Sequence, residues 1–450
     1  TYLKLNGNVN RFFFNGYTYR DIEINGSMMA NVFNGKLKID DPNASLTAEG
    51  ELAKDHISGF MLNVNHLNPN VLGLTDKWKN TTFSGKLKGD FHGNSLDNAV
   101  GNLNLHDFRM STSPDSVFVL KNVNLICNGS ANNRNLKLSG DFGHVILDGQ
   151  YRVSELPYTL SRIVASRLPS IPGLSKRASA KNIDKFSIDA ILYDASILRQ
   201  FMNIPLETQQ PLIIKGDVNQ IQDYVNVTLL APDIKYSDSS YKNINVRLFG
   251  DKDKPLETNL SIDKVMADGE IMSFGFVSSA INDSMVSSIE WDNHGEKTFS
   301  GSLNTEASFA EDETGKAYAD VNVLPSLIFV GDTVWNVANA NINFSNSHLN
   351  VNNFSVSHDN QHIIINGKAT RSSTDSITIN LHDVNAKYVL DMVNFHSVGF
   401  DGYVSGKAVL SSLFSQPEIH GDITVRNFIF ETGHMGTLKA YVNYDNKTKR

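Results

Sequence analysis

The chain has 450 residues, a formal net charge of −8, 40% apolar and 20% charged side chains, and one cysteine. That apolar content excludes a disordered chain, and the acidic balance disfavours a nucleic-acid binder, which carries a basic face. A lone Cys127 excludes an intrachain disulfide or a thiolate metal site, and fits either a reducing compartment or an oxidising one where cysteine is avoided.

No run approaches the roughly 18 apolar residues that cross a membrane as a helix, and no signal peptide is visible. The chain starts inside an alternating strand (Tyr2, Leu3, Leu5) and stops at Lys-Thr-Lys-Arg. It reads as a piece of a longer protein, with anchors and export signals expected outside it.

Residues 1–60 read as strand after strand. Apolar and polar residues alternate through Ile22/Ile24, Leu37/Ile39 and Leu46/Ala48, with turns expected at Asn25-Gly26, Asn34-Gly35 and Asp41-Pro42-Asn43. Leu62 and Val64 continue the alternation. Asn68 before Pro69 has the form of a helix N-cap, predicting a helix near 69–78. From 83 to 153 the strands run on through Leu103/Leu105, Val123/Leu125 and Leu136/Leu138.

Residues 154–186 break the pattern. Leu160, Ile163, Val164 and Leu168 share one side of a helix predicted near 157–168, followed by a loop. Arg162 to Lys185 carries Arg162, Arg167, Lys176, Arg177, Lys181 and Lys185 against Asp184 alone. The segment reads either as a solvated helix and loop or as a contact for a partner or for anionic lipid headgroups, the latter through Arg162, Arg167, Lys176 and Arg177.

Strands resume at Phe186. Asp194 is placed to cap a short helix near 195–202, and alternation returns through Val225/Val227 and Leu260/Ile262 to about residue 310. After a polar turn at 311–317 come Ile342/Phe344, Ile363/Ile365 and Ile379/Leu381. Asn385 then stands as the cap of a helix near 386–395, before a last alternating strand with Ile423 and Val425.

These pieces repeat. Asn68 precedes Gly85 by 17 residues and Gly89 by 21, and Asn385 precedes Gly402 and Gly406 by the same 17 and 21. Asp194 with Gly216 gives a looser third copy. The copies start 126 and 191 residues apart, which describes an irregular array rather than a solenoid of constant period.

Strands every 8–12 residues, apolar on one side and wet on the other, predict an all-β chain with more than roughly 50% strand and less than roughly 15% helix. A compact sandwich finishes in about 100 residues. The simplest arrangement for this length is one long, twisted antiparallel sheet, elongated and curled over its apolar face into a half-open groove, with a few short helices. Its segments are expected at 1–155, 156–186, 187–320 and 321–450, each of the three strand-rich ones carrying one repeat. The groove is expected to be lined by Leu62, Val64, Leu103, Leu105, Val225, Val227, Ile342, Phe344, Ile379, Leu381, Ile423 and Val425.

No catalytic constellation stands out. H-E-x-x-H, G-x-S-x-G and the phosphate-binding G-x-x-x-x-G-K-[ST] are missing. Gly295-Glu296-Lys297-Thr298 lacks the Gly-Lys pair and reads as a turn. Asp40-Asp41 is explained by the Pro-Asn turn that follows, and His358 and His362 lie in strand-like sequence with no third metal ligand near. The chain is therefore read as a non-enzyme without cofactor or metal.

The run F-D-G-Y-V-S-G-K-A-V-L-x₆-P-E-I-H-G-D-I-T-V-R-N-F-I-F (Phe400–Phe430) resembles the repeated pattern of the TamB family, in the AsmA-like group of Gram-negative envelope proteins. Asn34-Gly35-Lys-Leu-Lys-Ile-Asp-Asp-Pro-Asn and Gly85-Lys-Leu-Lys-Gly-Asp are similar to its other recurring turns. The resemblance implies a middle segment of a long periplasmic protein with a β-taco fold. It implies an inner-membrane anchor outside this fragment and an outer-membrane partner of the Omp85 type, also reached from outside it.

The function implied is transfer of phospholipid acyl chains along the groove between the two membranes. The alternative is a scaffold for outer-membrane protein assembly, taking up unfolded strands by β-augmentation. A surface solenoid or a carbohydrate enzyme fits less well, since the repeat spacing is uneven and Trp78, Trp291 and Trp335 are dispersed. Under the lipid reading, Ile379→Lys with Leu381→Glu is expected to leave the fold intact while blocking lipid passage.

Overall fold

The computed structural model describes all residues except 1, 94, 114, 131, 174–183, 297, 387–398 and 446–450. Among the described residues 70% lie in strands and 5% in helices, and 29 strands form one antiparallel sheet. By contacts the chain divides into a first unit, Thr1–Pro157 with Asn182–Ile221, and a second, Tyr158–Lys181 with Gln222–Arg450.

In the first unit nearly every strand pairs with the next in sequence. β1 (Tyr2–Phe14) pairs with β2 (Tyr17–Met29), β2 with β3 (Val32–Asp41), and so on to β10 (Gly143–Gln150) and β11 (Lys185–Leu192). The expected turn at Asp41-Pro42-Asn43 is present. Asp41 is buried there and accepts hydrogen bonds from the Tyr17 hydroxyl (2.6 Å) and from the backbone N–H groups of Arg20 (3.0 Å) and Asn43 (2.8 Å).

The other two expected turns are not turns. Asn25-Gly26 lies inside β2 and Asn34-Gly35 inside β3, with Gly26 and Gly35 directly opposite each other. A Cβ on Gly35 would come within 2.5 Å of the Gly26 Cα, so these glycines permit close backbone approach between neighbouring strands.

The helix expected at 69–78 is a single turn. Asn68 acts as its cap, its Oδ1 accepting from the Val71 N–H at 3.3 Å. Gly73, at φ +69°, stops the turn: its N–H reaches the Asn70 carbonyl (3.1 Å) and the Leu74 N–H reaches back to Pro69 (2.9 Å). That is a glycine C-terminal motif arriving after one turn instead of three.

The other described helices are found where expected. α1 spans Leu156–Ala165 and α2 spans Ser196–Met202, with the Asp194 carboxylate accepting from the Ser196 N–H at 2.8 Å. The helix expected at 386–395 lies, but for its first residue, outside the described residues.

A recurrent irregularity keeps the faces sorted. In six strands the apolar alternation slips by three residues, as in Leu105-His106-Asp107-Phe108 and Val351-Asn352-Asn353-Phe354. At each slip an Asp or Asn adopts positive φ: Asp21, Asp107, Asn243, Asn353, Asp383 and Asn427, all between 50° and 53°. These two residue types tolerate the left-handed region best after glycine. At Asp107, Asn243, Asn353, Asp383 and Asn427 the ladder register shifts, and the bulge returns the next apolar side chain to the same face. The first glycine of each matched repeat pair belongs to this device: Gly85 sits at the bulge facing Asp107 and Gly402 at the bulge facing Asn427.

In the second unit, β20 (Ala317–Val323) and β21 (Ser326–Val330) are two halves of one strand broken at Leu324-Pro325. β22 (Thr333–Val337) and β23 (Ala340–Ser345) are likewise halves of the strand that returns. Proline cannot donate to the ladder, which explains the first break. Around this bent hairpin Val323, Val330, Trp335, Val337, Val356 and Val384 pack into a closed core, with Trp335 0% exposed.

Candidate functional site: an apolar strip along the sheet

Strand register decides which expected groove residues share a face. In the first unit one ladder runs Leu37–Ala48–Leu62–Leu87–Leu105–Val123 across six adjacent strands. The neighbouring ladder on the other face runs Lys38–Thr47–Asn63–Lys86–His106–Asn122. Val64 and Leu103 lie two residues from Leu62 and Leu105 along their strands, so all four candidates of this unit share the apolar side. Each is half-buried.

The ends of these strands are closed. At one end Leu72, carried by the 68–74 turn, is 0% exposed against Tyr19 and Ala44. Beside it Trp78, Phe83, Phe108, Phe118 and the α2 residue Phe201 form a chain of ring contacts, with centroids 5.3–6.5 Å apart.

At the other end Cys127, Leu136, Leu147 and Tyr151 are buried. The Arg134 guanidinium there donates to the carbonyls of Leu96 (2.7 Å), Asp97 and Ala99 (3.2 Å). Burial pushes the Tyr151 hydroxyl up to about 12. Burial would raise the Asp97 carboxyl as well, but hydrogen bonds from Ser154 and the Arg134 charge outweigh it and hold Asp97 below the usual range. Between two packed ends lies an uncharged, half-exposed strip.

In the second unit the eight remaining candidates also share one face. Ile342 continues through Val351 and Gly367 to Ile377, next but one to Ile379. Leu381 continues through Gly406 to Ile423. Their surroundings differ. Val225 and Val425 are buried, Phe344 is 41% exposed, and Ile342 and Leu381 pack against the Trp335 core.

Two large cavities among the described residues of the second unit, about 680 and 630 Å³, open on the other side of the sheet. There Asp263, Ser273, Asp292 and Ser300 stand in register. The Ser273 hydroxyl donates to Asp263 at 2.6 Å and lies 2.9 Å from His294 Nε2. The bond from Ser273 holds the Asp263 carboxyl below its ordinary range, against the opposing effect of burial. With its hydroxyl directed to a carboxylate, Ser273 is hydrogen-bonded structure and not an activated nucleophile. Among the described residues no cluster of three or more His, Cys, Asp or Glu could hold a metal ion.

Two of the cations singled out from sequence are turned inward. Arg162 and Arg167 are buried. Arg167 donates to the carbonyls of Lys254 (2.8 Å) and Asp251 (2.8 Å) and pairs with the Asp223 carboxylate. It holds strand-connecting turns in place, and its charge is not offered to a headgroup. Lys176 and Arg177 lie outside the described residues.

Sequence reading missed the residues that close the strip, namely Leu72, Phe201 and Arg134. Leu72 and Phe201 follow capping residues that were recognised, so an apolar side chain just after each cap was the available signal. Arg134 gave none. No protein-family model, curated protein or solved structure matches the chain, so the strip and its closed ends stand on their own geometry.

Proposed function

We propose that the apolar strip holds lipid acyl chains and that the chain is a segment of a phospholipid conduit. The observation that carries this reading is the strip of the first unit. Leu62, Leu87, Leu105 and Val123 are in register and half-exposed, and no charged side chain enters their row. Apolar surface left open to water in a continuous band marks a binding site. Six strands spaced by about 4.8 Å carry the row about 24 Å, against about 15 Å for the hydrocarbon of one leaflet. Half-exposed aliphatic side chains gain by covering with methylene groups, at about 25 cal/mol per Å². Nothing in the row selects among acyl chains, so headgroup and chain length are not discriminated there.

The resemblance to the TamB family supplies the setting: the periplasm, an anchor in the inner membrane and an Omp85-type partner at the outer one. A second reading is a scaffold for outer-membrane protein assembly, in which the same strip takes up unfolded polypeptide strands.

Photo-crosslinking separates the two. A photoreactive residue at Leu62 or Leu105 should give phospholipid adducts, and one at the adjacent Asn63 or Asn104 should not. Equal labelling of both faces would overturn the lipid reading, and polypeptide adducts from Leu62 or Leu105 would favour the scaffold.

A further inference from the structure

The strand ends along one side of the first unit's strip carry two apolar insertions that differ in how they are held. Leu72 is fully buried and sits in a turn tied to the sheet by backbone bonds, the Asn68 N–H donating to the Asn43 carbonyl at 2.9 Å. The Asn15 amide adds a bond to the Gly73 carbonyl. Phe201 is 40% exposed and the next residue, Met202, is 63% exposed. It rides on α2, seven residues long, whose side chains add one ion pair, Arg199 to Glu207, with both partners exposed. A helix of this length has no stability of its own, and an exposed ion pair holds little.

Yet the Phe201 ring lies in an aromatic nest. Its centroid is 6.0 Å from those of Phe108 and Phe118 and 6.5 Å from that of Trp78. Phe83 completes the nest, 5.3 Å from Trp78. Phe83 and Phe118 both stand opposite Met110, and Phe83 is four residues before Leu87 on its strand, so the nest continues the face of the strip. No charged side chain takes part in these ring contacts.

We propose that Trp78, Phe83, Phe108 and Phe118 form an acyl-chain socket at the side of the strip, along the strand ends, and that Phe201 is a displaceable plug that fills it when no lipid is bound. The proposal rests on the lipid reading above and names an entry site within it. A bare nest would be a cavity with the cost that unfilled apolar space carries. With Phe201 in place, an entering chain exchanges one apolar filler for another. The exchange is near-neutral, so the site can open without a large barrier and close again once the chain has moved along the strip.

The test uses the full chain and vesicles of phosphatidylcholine carrying a fluorescent phospholipid, with uptake by the protein followed over time. Phe201→Ala should take up lipid several-fold faster than the parent, and Phe201→Leu should lie between them. Brominated acyl chains should quench Trp78 more strongly in the alanine variant. Phe201→Leu keeps an apolar contact and decides the matter if the alanine variant melts early. Equal uptake by parent and variants overturns the plug and leaves the conduit standing. Slower uptake by variants that melt normally also overturns it, by making Phe201 part of the binding surface. No uptake by any of the proteins overturns the conduit reading and the socket with it.

Discussion

The strip around Leu105 and the core around Trp335 are written in the same alternating code and end in different states. Around Leu105 the strands keep their side chains half-exposed, and only the strand ends are covered. Around Trp335 side chains from the same kind of ladder meet one another until the ring is 0% exposed. The local difference is backbone continuity. The strands through Leu62 and Leu105 are unbroken between their bulges, whereas the hairpin of 317–345 is broken at Leu324-Pro325 and again at Ala338-Asn339. A broken strand bends, and bending brings one face onto itself. An alternating pattern therefore fixes which side chains share a face, and breaks in the strands decide whether that face is a surface or a core.

The largest expected effect sets the two against each other directly. Leu381→Glu places a carboxylate against the Trp335 core and should destabilise the second unit by upward of about 3 kcal/mol. Leu105→Glu, whose carboxylate can reach water, should cost within about 1.5 kcal/mol. Urea denaturation monitored by circular dichroism would measure both. Equal costs would erase the distinction between strip and core. This reassigns the position named from sequence, because the double change at Ile379 and Leu381 tests packing at a core margin and not an open groove.

A smaller effect is expected at the residues that keep both regions in phase. Asp107 and Asn353 hold φ 51° and 53° at bulges beside the strip and the core respectively. Asp107→Val or Asn353→Val should each cost about 1–2 kcal/mol, since a β-branched residue resists the left-handed region. Glycine at either position should be near-neutral. Thermal melts of the four variants would sharpen the comparison if the two regions respond alike, as a shared device requires.

The smallest effect is confined to acid. The Ser405 hydroxyl at 2.9 Å is the main cause that holds the Asp383 carboxyl below its ordinary range; burial opposes it, and the Arg426 guanidinium at 2.6 Å adds to the lowering. A carboxyl with a depressed folded-state pKa stabilises above its unfolded value, about 3.9, and loses that contribution as pH falls through the folded value. Asp383→Asn keeps a residue suited to positive φ and should flatten the acid limb of the melting temperature below about pH 4. An unchanged limb would mean that this pair contributes nothing beside the core.

Much of this was legible in the residues. Alternation identified the strands and the shared face of Leu62 with Leu105 and of Leu381 with Ile423. The stripe of Ile163 and Val164 and the Asp194 cap identified the two described helices. The helix expected at 69–78 shrinks to one turn because Asn68-Pro69 signals a start and says nothing of length, and Gly73 ends it. Asn25-Gly26 and Asn34-Gly35 have the composition of turns, but their glycines stand face to face in adjacent strands. The slips at Asp107 and Asn353 show in the sequence as a three-residue gap between apolar residues, which strict alternation in steps of two does not predict. The closure at Trp335 could not be read, because the distance between ladders far apart in sequence depends on bending that no single strand encodes.

The next-neighbour pairing of β1 to β10 bears on how the sheet is made. Each strand finds its partner within a dozen or so residues, so the entropy of closing a long loop is rarely lost. Growth can proceed hairpin by hairpin from whichever end of the chain is available first, and each new strand covers the edge left by the last. A polypeptide delivered gradually, as in synthesis or passage through a membrane, can assemble such a sheet in the order in which it arrives.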